Sequence, residues 1–115
     1  MEVEPILTVF FYKTESGREP VRDWIKALSL EDKKEMGQDI KTAQFGWPMG
    51  MPLIRKLEKD LWEVRSNIKD GIARTFFTID GNEMVLLHAF VKKSHATPQA
   101  ELDLARKRKG KYHGQ

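Results

Sequence analysis

Hydrophobic and polar positions follow two different periods along this chain, and each change of period marks a new element. Residues 6–12, Ile-Leu-Thr-Val-Phe-Phe-Tyr, are a run of β-branched and aromatic types closed by Thr14-Glu15-Ser16-Gly17, which predicts a first strand. From Glu19 the spacing turns helical. Val21, Trp24, Ile25 and Leu28 recur at three and four residues, and Pro20 stands where a first helical turn tolerates proline. Ser29 reads as the N-cap of a second helix, in which Leu30, Met36, Ile40 and Ala43 or Gln44 share roughly one face until Gly46 stops it. Two prolines and two glycines between Gly46 and Pro52 make that segment a loop. Three β-rich runs follow at 53–66 (broken near Glu58 to Asp60), 72–79 and 84–92, with Lys69-Asp70-Gly71 and Asp80-Gly81 as hairpin signals between them. Thr97-Pro98 then supplies an N-cap and a first-turn proline for a last helix from Gln99 to about Lys109, with 109–115 expected to fray.

This order predicts an α+β fold: an antiparallel β-sheet meander with two N-terminal helices on one face and a C-terminal helix. The second face is then expected to stay open to water or to a ligand. Period-two alternation sends Trp62 and Val64 to one side and Glu63 and Arg65 to the other. Trp24 and Trp62 are expected in the core, and Trp47, in its Pro/Gly loop, more exposed. Arg65, Arg74, His88, Lys92 and Lys93 are the charged exceptions in otherwise apolar strands.

Composition narrows the chemistry. The 115 residues fit a single domain, 1–115, and the absence of cysteine removes thiol nucleophiles, disulfides and Cys-ligated zinc. No stretch approaches the ~20 apolar residues of a membrane span, and the first residues lack the positive region of a signal peptide, so a cytoplasmic protein without a membrane partner is expected. Net charge is +3, unevenly placed: residues 1–46 hold seven Lys/Arg against nine Asp/Glu, and residues 47–115 thirteen against eight. That asymmetry points to a polyanionic partner for the second part of the chain, or else to a solvated basic tail.

Three segments carry a more specific signal: Pro52 to Leu57, Leu61-Trp62-Glu63-Val64-Arg65-Ser66, and Gly71-Ile72-Ala73-Arg74-Thr75-Phe76-Phe77. With Val85 to Ser94, Thr97-Pro98, Glu101 and Ala105 to Arg108, they resemble the HigB-type toxins of the RelE/ParE superfamily and their phage-derived relatives, over nearly the whole chain. The resemblance implies a RelE-like fold and the toxin of a type II toxin-antitoxin pair, a ribosome-dependent mRNA endonuclease neutralised by a helix-turn-helix antitoxin (HigA-like). Its partners would be that antitoxin, the ribosome and mRNA. In such cleavage the ribose 2′-OH attacks the adjacent phosphodiester, so the enzyme needs no covalent residue, no metal and no cofactor. It must remove a proton, stabilise a phosphorane and protonate the leaving 5′-oxygen.

Residue by residue, the resemblance implies that Arg65 binds phosphate and stabilises the transition state, since a guanidinium fork matches phosphate oxygens. The alternative is a surface pair with Glu63 or Glu83. Lys92 and Lys93 are candidates for phosphorane stabilisation or proton transfer, and alternation lets only one face the site. Arg74 is a second phosphate contact or a structural partner of Asp70 or Glu63. Lys56, with Arg55 and Lys59 behind it, is a candidate proton-transferring or RNA-orienting base. His95 lies in the loop before the last helix, where some relatives place a tyrosine that Ser94-His95-Ala96-Thr97 lacks. Phe77 and Phe90 are candidates to stack on a base or to fill the core, and His88, mid-strand, is an acid/base or a core histidine. The competing reading is a non-catalytic basic binding protein of the same fold, such as a ParE-like gyrase inhibitor or an inactive antitoxin-binding relative.

Overall fold

The computed structural model describes residues 3–92 and 98–114. Its elements run β1 (Thr8–Phe11), α1 (Pro20–Lys26), α2 (Leu30–Gly46), β2 (Ile54–Glu58), β3 (Leu61–Ile68), β4 (Gly71–Asp80), β5 (Glu83–Lys92) and α3 (Gln99–Tyr112). The local signals act where the sequence puts them. Ser29 Oγ accepts the Asp32 N–H at 3.2 Å and caps α2. At the β4–β5 hairpin, Asp80 lies opposite Glu83 and Gly81 takes a left-handed φ of +61°, which a side chain would resist.

The strands form one five-stranded sheet in the order β1-β5-β4-β3-β2. β2 to β5 are the expected antiparallel meander. β1, however, runs parallel to β5, Thr8 opposite Glu83 and Phe11 opposite Leu86, so the sheet is mixed rather than purely antiparallel. A hydrophobic run shows that a segment is a strand but says nothing of its partner. A parallel neighbour needs a long crossover, here everything from α1 to β4.

α1 and α2 cover one face. Val21 from α1 and Ile40 and Ala43 from α2 bury against Ile54, Val64, Phe77, Met84 and Leu86. Trp47 joins this layer: its ring meets Trp62 edge-on at 5.2 Å and Phe77 at 5.8 Å, and Trp62 stacks on Phe77 at 5.9 Å. Trp47 is therefore half-buried, as Trp24 and Trp62 are, and not left outside by its Pro/Gly loop.

The second face is not wholly open. α3 lies across it, placing Leu102, Ala105 and Tyr112 against Leu61, Phe76, Val85, Leu87 and Phe90. The helix also continues past Lys109 to Tyr112, because polar anchors hold its end to the sheet. Arg108 Nη1 donates to the Leu87 carbonyl at 2.8 Å, and Tyr112 Oη donates to Glu83 Oε2 at 2.8 Å. Such anchors join residues far apart in sequence, so composition alone reads the same stretch as a frayed tail. Beyond α3 the second face keeps a strongly cationic end, running from Arg55 on β2 to Lys92 on β5.

Candidate functional site

Cross-strand register assembles this end of the sheet. Arg55 stands opposite Glu63, Arg65 opposite Arg74, Arg74 opposite Phe90, and Ile72 opposite Lys92. Opposed residues share a face, as do residues two apart on a strand. Arg55, Glu63, Arg65, Arg74, Phe90 and Lys92 therefore project from the face on which α3 lies. Arg55 is exposed, and Arg65 and Lys92 are half-buried. Arg74 and Glu63 are buried, at 4% and 0% relative exposure, and Arg74 Nη1 meets Glu63 Oε2 at 3.3 Å.

Burial and charge pull against each other here. Loss of water pushes the Glu63 carboxyl above its ordinary range, against the opposing pull of Arg74, Arg55, Arg65 and Lys92. Lys92 is held below the ordinary lysine range, first by desolvation and then by repulsion from Arg74, Arg55 and Arg65, which the attraction of Glu63 partly offsets. Three buried polar atoms of this cluster lack a hydrogen-bond partner among the described residues: Glu63 Oε1, Arg65 Nε and Arg74 Nε. Buried polar groups are almost always satisfied, so two orphaned donors on adjacent guanidinium groups set this cluster apart from the rest of the sheet. Arg65 makes no ion pair with a described residue, whereas the buried partner of Arg74 is Glu63.

Around this cluster, the ring of Phe90 stacks on His88 at 5.6 Å and meets Phe76 edge-on at 5.2 Å. His88 Nε2 is held by Glu101 of α3, a contact between sheet and helix. Of the residues singled out in the sequence, the structure brings together Arg55, Arg65, Arg74 and Lys92. It separates Lys56 and Phe77 from them. Lys56 lies opposite Trp62, on the α1/α2 face, with its ammonium 5.8 Å from the Trp62 ring centroid. Phe77 is fully buried in the layer beneath α1 and α2, where no base can reach it. Lys93 and His95 lie outside the described residues. Glu63 is the residue that sequence reasoning missed as a member of the site in its own right. The signal was present: a carboxylate between Trp62 and Val64 in a buried strand, two positions before Arg65 and so on the same face.

Residues 23–110 match the family described as phage derived protein Gp49-like (DUF891). The chain belongs to this Gp49-like family. The family is of the RelE/HigB-like toxin type, and the matched span contains all four strands that carry the cationic face. No curated protein matches the chain. Among the described residues of this Gp49-like protein, no helix is long and apolar enough to cross a membrane.

Proposed function

We propose that this Gp49-like protein is the toxin of a toxin-antitoxin pair and cleaves mRNA on the ribosome. The observation that carries the reading is the convergence of Arg55, Arg65, Arg74 and Lys92 on one sheet face, with Nε donors on Arg65 and Arg74 that lack partners among the described residues. In this reading the scissile phosphate sits on the two guanidinium groups. The adjacent ribose 2′-OH attacks phosphorus, the phosphorane gains negative charge that fixed cations stabilise, and the 5′-oxygen leaves as an alcohol. Lys92, held below the ordinary lysine range by desolvation, is suited to exchange a proton with these oxygens. Neither a metal nor a covalent enzyme intermediate is required, because the nucleophile belongs to the substrate. The ribosome supplies alignment of the 2′-OH with the phosphate. A helix-turn-helix antitoxin encoded beside the toxin would neutralise it.

The test incubates the purified protein with ribosomes and mRNA and maps RNA ends. New 5′-hydroxyl ends that require ribosomes support the endonuclease. Growth arrest without such ends would assign the protein to the non-catalytic alternative.

A further inference from the structure

Glu63 is a costly residue to keep where it is. It has no exposed surface, only Oε2 is engaged, and the Oε1 atom of the same carboxyl has no partner among the described residues. Arg74 Nε and Arg65 Nε share that condition. An oxyanion offers only acceptors, so seating one against the Arg65 and Arg74 guanidinium groups supplies acceptors where the cluster lacks them but opposes an ionised Glu63. A protonated carboxyl resolves the conflict, because its O–H becomes a donor and its negative charge is gone. Anion and proton together remove the clash of like charges, and an anion alone does not.

We propose that binding of an oxyanion on the Arg65–Arg74 face is linked to uptake of one solvent proton by Glu63, which makes Glu63 a positioning residue that releases Arg74 to the ligand. The inference rests on the reading of this face as a phosphate site. The charged groups facing Glu63 are Arg55 from β2, Arg65 from its own strand, Arg74 from β4 and Lys92 from β5. Past Phe76, its register partner, stand His88 and Glu101 of α3. In the free protein the four cations counter the burial that disfavours the charged carboxyl. A seated anion cancels part of their field and adds a like charge, so the balance tips to the neutral acid. With Glu63 neutral, the face presents four cations and no opposing carboxylate to a phosphate that grows more negative as it reacts.

The experiment titrates the full chain with sulfate, whose charge is constant between about pH 5 and 8, by calorimetry in buffers of different ionisation enthalpy. The expected result is uptake of about one proton per sulfate, with affinity falling as pH rises, by up to about tenfold per unit within the linked window. Glu63→Gln should bind sulfate at least as tightly as the native protein at the upper end of that range, with the pH dependence lost. Sulfate binding without proton uptake by the native protein, a measurement that needs no variant, overturns the linkage and leaves the phosphate-face reading standing. A folded Glu63→Gln protein with an unchanged pH slope also overturns it, by moving the proton elsewhere. Absence of sulfate binding at every pH removes the phosphate face and the linkage together.

Discussion

Arg65 and Arg74 face each other directly across β3 and β4, two like charges at one register position of an antiparallel pair. Such opposition weakens a sheet, and here one of the two guanidinium groups is buried. Glu63 pairs directly with Arg74, and its charge acts on Arg65 only at longer range. The pairing opposes stability, and the buried carboxylate beside it holds Arg74 in place.

Replacing Arg65 with Ala should abolish growth arrest and ribosome-dependent cleavage while leaving the protein folded. Loss of one fixed donor to a developing oxyanion costs ~10²–10³ in rate. Arg65→Lys should recover part of that, since an ammonium cannot reproduce the planar fork. Thermal unfolding of Arg65→Ala should match or slightly exceed that of the native protein, because the opposed charge is relieved. Full toxicity of a folded Arg65→Ala protein would discard the site.

Arg74→Met should cost stability as well as activity. It leaves Glu63 buried without its ion partner, a change that typically costs ~3–5 kcal/mol. The loss should depend on pH. Without Arg74 the folded-state carboxyl titrates still further above its unfolded value, so the native state binds more protons, and stability falls as pH rises from the ordinary carboxylate range through the folded value. Denaturant melts near pH 5 and pH 8 should show the larger deficit at pH 8, and equal deficits would mean that Glu63 is not left charged.

Association with ribosomes should weaken steeply with salt. Single-stranded phosphate contacts release counterions with a slope of about −0.7 per contact in log K against log salt. Removing the Arg65 charge should lower the apparent number of contacts by about one. Filter binding over a salt series reads both quantities, and a salt-independent affinity would count against polyanion recognition.

At the far end of the second face, burial, the hydrogen bond to Glu83 and the negative charges of Glu83 and Asp80 push the Tyr112 phenol up to about 12. The folded value lies above the unfolded one, so the stability tied to this proton is complete below about pH 10 and is lost as pH rises through about 12. Ultraviolet titration should show a phenolate component near pH 12 that Tyr112→Phe removes. That variant should also lose about 0.5–1.5 kcal/mol at neutral pH, the usual worth of one hydrogen bond.

What could be read in the sequence was what residues say about near neighbours. The Ser29 cap, the Asp80-Gly81 turn and the alternation of Trp62, Glu63, Val64 and Arg65 rest on spacings of a few residues, and each appears in the structure as expected. The direction of β1, the docking of α3 and the packing of Trp47 rest on contacts across the chain, which periodicity does not encode. Arg55 and Lys56 show the limit most sharply. Alternation sends these adjacent cations to opposite faces, but only the pairing of β2 with β3 decides which joins Arg65, and that pairing places Arg55 beside Glu63. Glu63 itself was visible as a partner for arginine, while its complete burial, the source of its chemistry, depended on the whole sheet.

The parallel pairing of β1 with β5 orders events in time. Strands β2 to β5, which carry Arg55, Arg65, Arg74 and Lys92, are joined by short turns, so their pairings are local hairpins. β1 leaves the ribosome first yet has no partner until β5 has followed it, and the loop that must close between Thr8 and Glu83 spans most of the chain. β1 thus stays without a strand partner while β2 to β4 are made. The sheet is completed only once the last strand has been made.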